Sequence, residues 1–354
     1  MKLPYAVSAT LVLFSMGSVA QTERTCMIET FTSSTCPPCN GGNVHLEDLL
    51  NDAVNDGKFV SLKYQMDWPS NGDPYFTAEG SQRRSYYSVT GVPNTSVDAQ
   101  LGILTHDLTQ GHLDDLYLVD PGAIITAYYQ VTGQTVNIQV DVEALVDIPG
   151  SVKLHCAIFE YTTDNNVESN GETEFFHVMK KMIPNASGTS WSSCPIGTIE
   201  HFDLSYTFNG SYFLPADAND PILHISEHSV EEFGDLGVAL WVQRSTSKEV
   251  YQATYAINGT ASNDEASNNL PFARVYPNPV NETATVAFDL STSQSVTLDI
   301  YNTSGQIIAT QTVADAQVGR NKVDLNTSDY SNGLYLVRIK SDGGEITESF
   351  SVQH

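Results

Sequence analysis

The sequence predicts a multidomain chain in which an α/β domain is followed by two β-sandwich domains. Three observations predict it. At 354 residues the chain exceeds one ordinary hydrophobic core, which sets an expectation of two or three domains. Up to about Asp120, short apolar runs alternate with stretches of helical periodicity. From Gly122 onward the texture changes to short runs of β-branched and aromatic residues separated by turn signals.

Residues 1–20 precede these domains. Lys2 gives a short basic start, Tyr5 to Phe14 is mostly apolar and too short to span a bilayer, and Ser18-Val19-Ala20 offers small residues where a signal peptidase reads. These features predict a cleaved secretory signal with Gln21 as the mature start. Cys26 is not at the cleavage point and no lipobox-like run precedes it, so a lipoprotein is not expected. No later segment reaches about 18 consecutive apolar residues, so no transmembrane helix is expected.

Residues 21–120 read as the α/β domain. Cys26 to Phe31 is a strand running into "FTSSTCPPCNGG". Val44, Leu46, Leu49, Leu50, Ala53 and Val54 then recur near helical spacing. Phe59 to Tyr64 reads as a second strand, "DWPSNGDPYF" as the core of a turn-rich insert, and Ala78 to Val89 as a helix carrying Arg83 and Arg84. "GVPNTSVDA" reads as a turn into another strand.

Residues 121–257 read as the first β-sandwich, with strands near 123–130, 134–144, 151–161, 196–208, 236–244 and 249–257. Thr162 to Cys194 reads as long and irregular, with one amphipathic piece around Phe175 to Met182. Residues 258–271, "NGTASNDEASNNLP", have almost no apolar content and read as a linker. Residues 272–354 are again all β, with strands near 284–290, 295–301, 306–313, 321–325, 333–340 and 345–352.

Charge narrows the function classes. There are 42 acidic against 16 basic residues, a net charge of −26. So acidic a chain repels phosphate backbones, and nucleic acid is not an expected partner. Nine acidic and five basic residues in 272–354 give that segment −4 and leave −22 upstream. Five cysteines are an odd number, and outside the cytoplasm cysteines tend to pair. Cys36 with Cys39 is the obvious pair. Cys156 with Cys194 is a second possibility that leaves Cys26 alone, and sequence does not fix the connectivity.

The Cys36-Pro37-Pro38-Cys39 motif carries the chemistry. Two sulfurs can share one turn at a helix start, where backbone N–H groups and the helix dipole favour a thiolate. A lowered thiol pKa supplies a nucleophile, and the second cysteine resolves the mixed disulfide. Pro37 and Pro38 fit a first helical turn but bring no N–H donor to Cys36. Gly41 and Gly42 weaken that helix start by roughly 1 kcal/mol each relative to Ala. Two other readings stay open. A structural disulfide needs only the two cysteines. A zinc site needs about four ligands, and only His45 stands near, so neither a metal nor a cofactor is expected.

The order strand, "FTSSTCPPC", helix, "TGVPNTSVD" resembles the thioredoxin superfamily. The resemblance implies a thioredoxin-like α/β fold and protein thiol or disulfide substrates. It makes Cys36 the attacking or attacked cysteine and Cys39 the resolving one. It makes Pro93 the cis-proline facing them and Val92 the residue whose backbone pairs with the substrate chain. Thr35 stands where many members have an aromatic residue. Thr30, next to Glu29, stands where thioredoxins keep a buried acid. More narrowly, "IETFTSSTCPPC" with "DPYFTAEGSQRRSYYSVTGVP" resembles the Omp28-related proteins of Bacteroidota, which join such a domain to a β domain and are described as surface proteins, adhesins or thioredoxin-like proteins. The likeness covers roughly residues 24–257.

The last segment has its own signature. "VYPNPVNETATVAFDL", "LDIYNTSGQII" and "YSNGLYLVRIKSDGGEITESFSV", in this order, resemble the C-terminal sorting domain of type IX secretion cargo, an Ig-like sandwich. The resemblance implies export through the periplasm of a Gram-negative cell and passage across the outer membrane by that machinery. Removal of the tail near 258–275 follows, with release or attachment to surface lipopolysaccharide.

Other constellations point to packing or turns. His224 and His228 in "HISEH" lack a third ligand, and Asp217, Asn219 and Asp220 in "DANDP" lack calcium-loop spacing. In "FFHVMKKMIP", apolar residues at helical spacing imply packing, His177 included. Two functions are carried forward. The first is a secreted or surface thiol–disulfide oxidoreductase working in the oxidising or isomerising direction. The second is a surface binding protein or adhesin with the first domain as scaffold, using Trp191, Tyr206, Tyr212 and Phe213 where exposed.

Overall fold

The computed structural model describes residues 23–259, 272–276, 280–290, 293–302, 305–317, 319–341 and 344–353. They belong to two compact units divided between Ala256 and Ile257. The signal expected at 1–20 and most of the linker expected at 258–271 lie outside the described residues.

The first unit opens with β1 (Cys26–Thr32), α1 (Pro37–Leu50), β2 (Phe59–Gln65), α2 (Ala78–Tyr87), β3 (Asn94–Val97), β4 (Leu101–Leu104) and α3 (Gln110–Tyr117). β1 pairs in parallel with β2, from Cys26↔Phe59 to Thr32↔Gln65, and antiparallel with β3. Parallel neighbours need a crossover, which α1 supplies. Successive side chains of β1 divide between two cores. Cys26 and Ile28 pack with Leu46 of α1, Leu108 and Leu113. Met27 and Phe31 pack with Val60, Leu62 and Tyr64 of β2. α2 starts at Thr77, whose side chain accepts from the Gly80 N–H at 3.1 Å, and ends at Ser88 in a left-handed conformation.

Then come β5 (Ala123–Thr132), β6 (Thr135–Ala144), β7 (Val152–Thr163), β8 (Phe175–Ile183) and the two-residue β9 (Thr189–Ser190). They are followed by β10 (Ile199–Thr207), the short pair β11 (Ser211–Tyr212) and β12 (Glu227–His228), β13 (Leu236–Arg244) and β14 (Val250–Tyr255). β7, β8, β13 and β14 do not form a sheet of their own. They join the first four strands in one sheet ordered β14-β13-β7-β8-β2-β1-β3-β4, with β9 on β7. Segments on both sides of residue 120 therefore share a sheet. A second antiparallel sheet, β10-β6-β5, covers one face of it. Val136, Ile138, Val140 and Val142 pack on Leu154, Cys156 and Ile158 of β7 and on Val238, Leu240 and Val242 of β13. β6 alternates buried and exposed residues as a half-covered strand should.

Two sequence expectations are corrected here. Phe175 to Met182 is strand, not helix. β8 pairs with β7 on one edge and touches β2 on the other at Lys63↔Val178, and the consecutive Val178, Met179 and Lys180 are all buried, so both faces are covered and its apolar residues need not alternate. The possible Cys156–Cys194 bond is not formed: Cys26, Cys156 and Cys194 are free, buried thiols.

The second unit is a two-sheet sandwich. Phe272–Tyr276, Thr283–Leu290 and Gly319–Asn326 form one sheet. Ile307–Ala316, Gln294–Asn302, Gly333–Ser341 and Gly344–Val352 form the other. Val286 and Phe288 meet Leu298, Ile300, Val337 and Phe350 in its core.

Candidate functional site

Cys36 and Cys39 are joined by a disulfide at the start of α1. Cys36 is the N-cap residue in extended conformation, and Pro37 and Pro38 fill the first helical positions, where a missing N–H breaks no bond. Cys36 N–H donates to the Ser33 carbonyl at 3.0 Å and Cys39 N–H to the Cys36 carbonyl at 3.0 Å, which closes the turn. The Val92–Pro93 peptide is cis, and the Val92 carbonyl oxygen lies 3.6 Å from Cys36 Sγ. A disulfide sulfur has no proton to donate, so this is a contact and not a hydrogen bond. The four residues singled out from the sequence, Cys36, Cys39, Val92 and Pro93, are thus brought together.

The motif is covered. Cys36 is 1% exposed and Cys39 0%, while Pro37 and Pro38 face solvent. Two inserts do the covering. From the β2–α2 loop, the Pro69 carbonyl accepts from Thr35 Oγ1 at 2.7 Å, and Asp73 Oδ2 accepts from the Ser34 N–H at 2.9 Å. From the β7–β8 loop, Asn170 N–H donates to the Ser34 carbonyl at 2.9 Å and Asn170 Nδ2 to the Ser33 carbonyl at 3.2 Å. Asn40 Nδ2 donates to the Asn170 carbonyl at 3.2 Å, and Asn43 Nδ2 to Glu172 Oε1 at 2.7 Å. Asn166 Nδ2 reaches both Asp73 oxygens at 3.3 Å and links the inserts. Burial pushes the Asp73 carboxyl up to about 6, against the opposing effect of its Ser34, Tyr75 and Asn166 hydrogen bonds.

Thr30 faces α1 and joins Thr95 and Thr105 in a hydroxyl chain with 3.0 Å steps. Glu29 faces the other side of β1. There it takes two 2.8 Å hydrogen bonds from Arg83 and one of 2.7 Å from the Tyr64 hydroxyl, with Tyr87 bonded to the same carboxylate. Arg83 also lies over the Trp241 ring at 5.3 Å. Two of the free thiols are poor nucleophiles: burial pushes Cys156 and Cys26 above the ordinary thiol range, with Asp98 adding to the effect at Cys26.

Sequence reasoning missed Asp73, Asn166, Asn170, Glu172 and the Glu29–Arg83 pair. It also missed a second buried ion pair, Lys180–Glu160 at 2.8 Å, with Lys180 over the Tyr75 ring. The Asn- and Asp-rich run "TDNNVESNGETE" was the available signal, since such side chains bond backbone groups of loops. The surface aromatics do not form one exposed face. Trp191 belongs to the core, Tyr206 and Phe213 are half-buried, and Tyr212 is 39% exposed with its hydroxyl on Tyr75. His177 is stacked on Tyr255.

Residues 274–353 match the family model described as a secretion system C-terminal sorting domain. A search of curated proteins finds no match. Among solved structures, the chain is similar to HBP35 of Porphyromonas gingivalis, with 13% identity, a TM-score of 0.48 and coverage of 94% of this chain and 98% of that one. It is also similar to protein AGR_C_4864 of Agrobacterium tumefaciens, with 16% identity, a TM-score of 0.42 and coverage of 70% and 99%. Part of it is similar to PorZ of Porphyromonas gingivalis, a surface component of the type IX secretion system, with 18% identity, a TM-score of 0.19 and coverage of 33% and 15%. Among the described residues no helix is long and apolar enough to cross a membrane. The tail is a type IX secretion sorting domain that engages that machinery, and the protein is secreted or at the cell surface.

Proposed function

We propose that this protein is a thiol–disulfide oxidoreductase built on a thioredoxin-like unit and working on protein cysteines outside the cell. One observation supports this most: the Cys36–Cys39 disulfide caps α1 with the cis Val92–Pro93 peptide 3.6 Å from Cys36 Sγ. The Val92 N–H makes no hydrogen bond among the described residues and is free to pair with an extended substrate chain. In the oxidised site a substrate thiolate attacks Cys36 Sγ, the Cys36–Cys39 bond breaks, and Cys39 leaves as a thiolate that takes a proton from water. A second substrate thiolate attacks the substrate sulfur of the mixed disulfide, and Cys36 leaves and is protonated in turn. The substrate gains one disulfide, and two electrons and two protons pass to the site. A small-molecule disulfide in the medium restores it. Isomerisation begins from the dithiol and needs no net electron transfer. Oxidation or isomerisation is the proposed direction, since a surface reductase needs an electron donor whereas an oxidant needs only a disulfide in the medium. After the sorting tail is removed, the mature protein is released or held on surface lipopolysaccharide.

The test is thiol–disulfide exchange with insulin by wild type and Cys36→Ser, alongside the reduction potential of the pair in glutathione buffers. Loss of exchange in a folded Cys36→Ser protein, with a potential near about −120 to −200 mV, supports the reading. An unchanged exchange rate sinks it. The burial of both sulfurs favours a second reading, a surface binding protein in which the disulfide is a clip. A potential below about −300 mV, with ligand binding that survives loss of both cysteines, selects that one.

A further inference from the structure

The rim of the disulfide site carries a cation with no counter-charge. Arg84 lies in the last turn of α2, with its guanidinium 4.8 Å from the centre of the Trp68 ring. Its side chain makes no hydrogen bond and no ion pair among the described residues, and its Nε is buried without a partner. Lys153 and Lys248, which also lack a carboxylate, bond the Ser190 hydroxyl and the Tyr86 carbonyl instead, whereas the Arg84 side chain has only the Trp68 ring among the described residues. Arg24, Lys63, Arg83, Lys180 and Lys181 of the same unit each hold a carboxylate. A cation in a last helical turn suits the helix dipole, but that does not place it over Trp68.

Trp68 sits on the loop that touches the motif. Its neighbour Pro69 accepts the Thr35 hydroxyl, and Thr35 precedes Cys36. Trp68 and Val92 are also partly exposed members of one apolar cluster, packed against Phe31 and Val89. The Trp68–Pro69 loop is thus bonded to the residue before Cys36, the Val92 carbonyl contacts Cys36 Sγ itself, and Arg84 lies over Trp68. An indole ring fixes the guanidinium at low entropic cost and leaves its N–H fork for a carboxylate.

We propose that Trp68 and Arg84 form a specificity subsite for an extended polypeptide carrying an acidic side chain beside its cysteine. The proposal rests on the exchange chemistry inferred above and adds to it which substrate sequence is preferred. The acidic surface repels such a peptide at long range. At physiological ionic strength that repulsion is screened beyond about 8 Å, and the contact at Arg84 decides.

The experiment uses the full chain and two short peptides, one with Glu and one with Lys flanking a single cysteine held as a mixed disulfide with 2-nitro-5-thiobenzoate. Release of that thiol by the reduced protein is followed at 0.15 M salt. Wild type is expected to prefer the Glu peptide by about fivefold, the size of a part-exposed ion pair. Arg84→Gln is expected to lose the preference, its ratio of Glu-peptide to Lys-peptide rates falling to about one. Arg84→Lys is expected to keep part of it. Where exchange is measurable, equal rates for the Glu and Lys peptides in wild type, or an unchanged preference in Arg84→Gln, overturn the proposal. Binding of the same peptides with serine in place of cysteine, read by calorimetry, separates recognition from chemistry. Glu-selective binding that Arg84→Gln abolishes, without exchange, sinks the oxidoreductase and leaves the subsite standing. Equal affinities overturn the subsite whatever the exchange rates.

Discussion

Gly42 lies against Pro93: a Cβ placed on Gly42 would come within 2.7 Å of Pro93 Cγ. The first turns of α1 thus approach the cis Val92–Pro93 loop through a residue with no side chain. Gly41, one position earlier, has nothing within 4 Å of a Cβ. Neighbouring glycines therefore make opposite predictions. Gly41→Ala is expected to stabilise by about 1 kcal/mol through helix propensity. Gly42→Ala is expected to destabilise by roughly 1–3 kcal/mol through overpacking against a rigid ring and to slow exchange at Cys36. Urea midpoints of the two variants check this, and shifts of the same sign contradict it.

Glu29 and Arg83 are each about 2% exposed at the side chain and hold one another bidentately. Glu29→Gln leaves a buried guanidinium without its counter-charge, and a loss of about 3–5 kcal/mol is expected in thermal or urea unfolding. Because Glu29 faces away from α1, the same variant, studied at low temperature where it stays folded, is expected to leave the pH profile of disulfide exchange unmoved. A displaced profile would make Glu29 a proton carrier for Cys39.

Asp73 gives a pH dependence whose sign follows from its raised pKa. The folded protein holds the Asp73 proton to about 6 because the carboxyl is buried, whereas the unfolded chain releases it near 3.8. Between those values the folded state binds more protons, so stability falls as pH rises through the window. The difference approaches about 3 kcal/mol by pH 7. Urea midpoints at pH 4 and pH 7 are expected to differ less in Asp73→Asn than in wild type. Parallel behaviour of the two proteins would remove Asp73 as the cause.

The parts legible in the sequence were those written in local pattern. β6 alternates cleanly because one face is covered, and the tail strands announce themselves between turn signals. The cis-proline and the two cysteines were legible because each residue type has few other uses at that spacing. β8 was misread because a strand covered on both faces loses its period of two, and the left-handed His177 interrupts it. The shared sheet was hidden because β8 meets β2 across more than a hundred residues of chain. The covering of the site was hidden for the same reason: Asn170 is joined to Ser34 through its backbone and to Ser33 through its side-chain amide, and nothing local in either segment names the other.

That covering carries the last prediction. Cys36 is 1% exposed, so a reductant reaches it through an opening of the β7–β8 loop or the β2–α2 loop. Asn170 holds the first of these: its Nδ2 donates to the Ser33 carbonyl and to Glu172 Oε2, its Oδ1 accepts from the Glu172 N–H at 2.8 Å, and its N–H donates to the Ser34 carbonyl. Asn170→Ala removes the three side-chain bonds, the Nδ2 bond to Glu172 Oε2 included, and keeps the backbone bonds to Ser34 and Asn40, at about 1 kcal/mol for each bond lost. If the β7–β8 loop is the gate, the opened population rises about tenfold or more, and reduction of Cys36–Cys39 by dithiothreitol accelerates by the same factor. The global urea midpoint is expected to move much less, because the loop opens without the sheets beneath it. Stopped-flow reduction of wild type and variant measures this. An unchanged rate would assign the gate to the β2–α2 loop at Pro69 and Asp73.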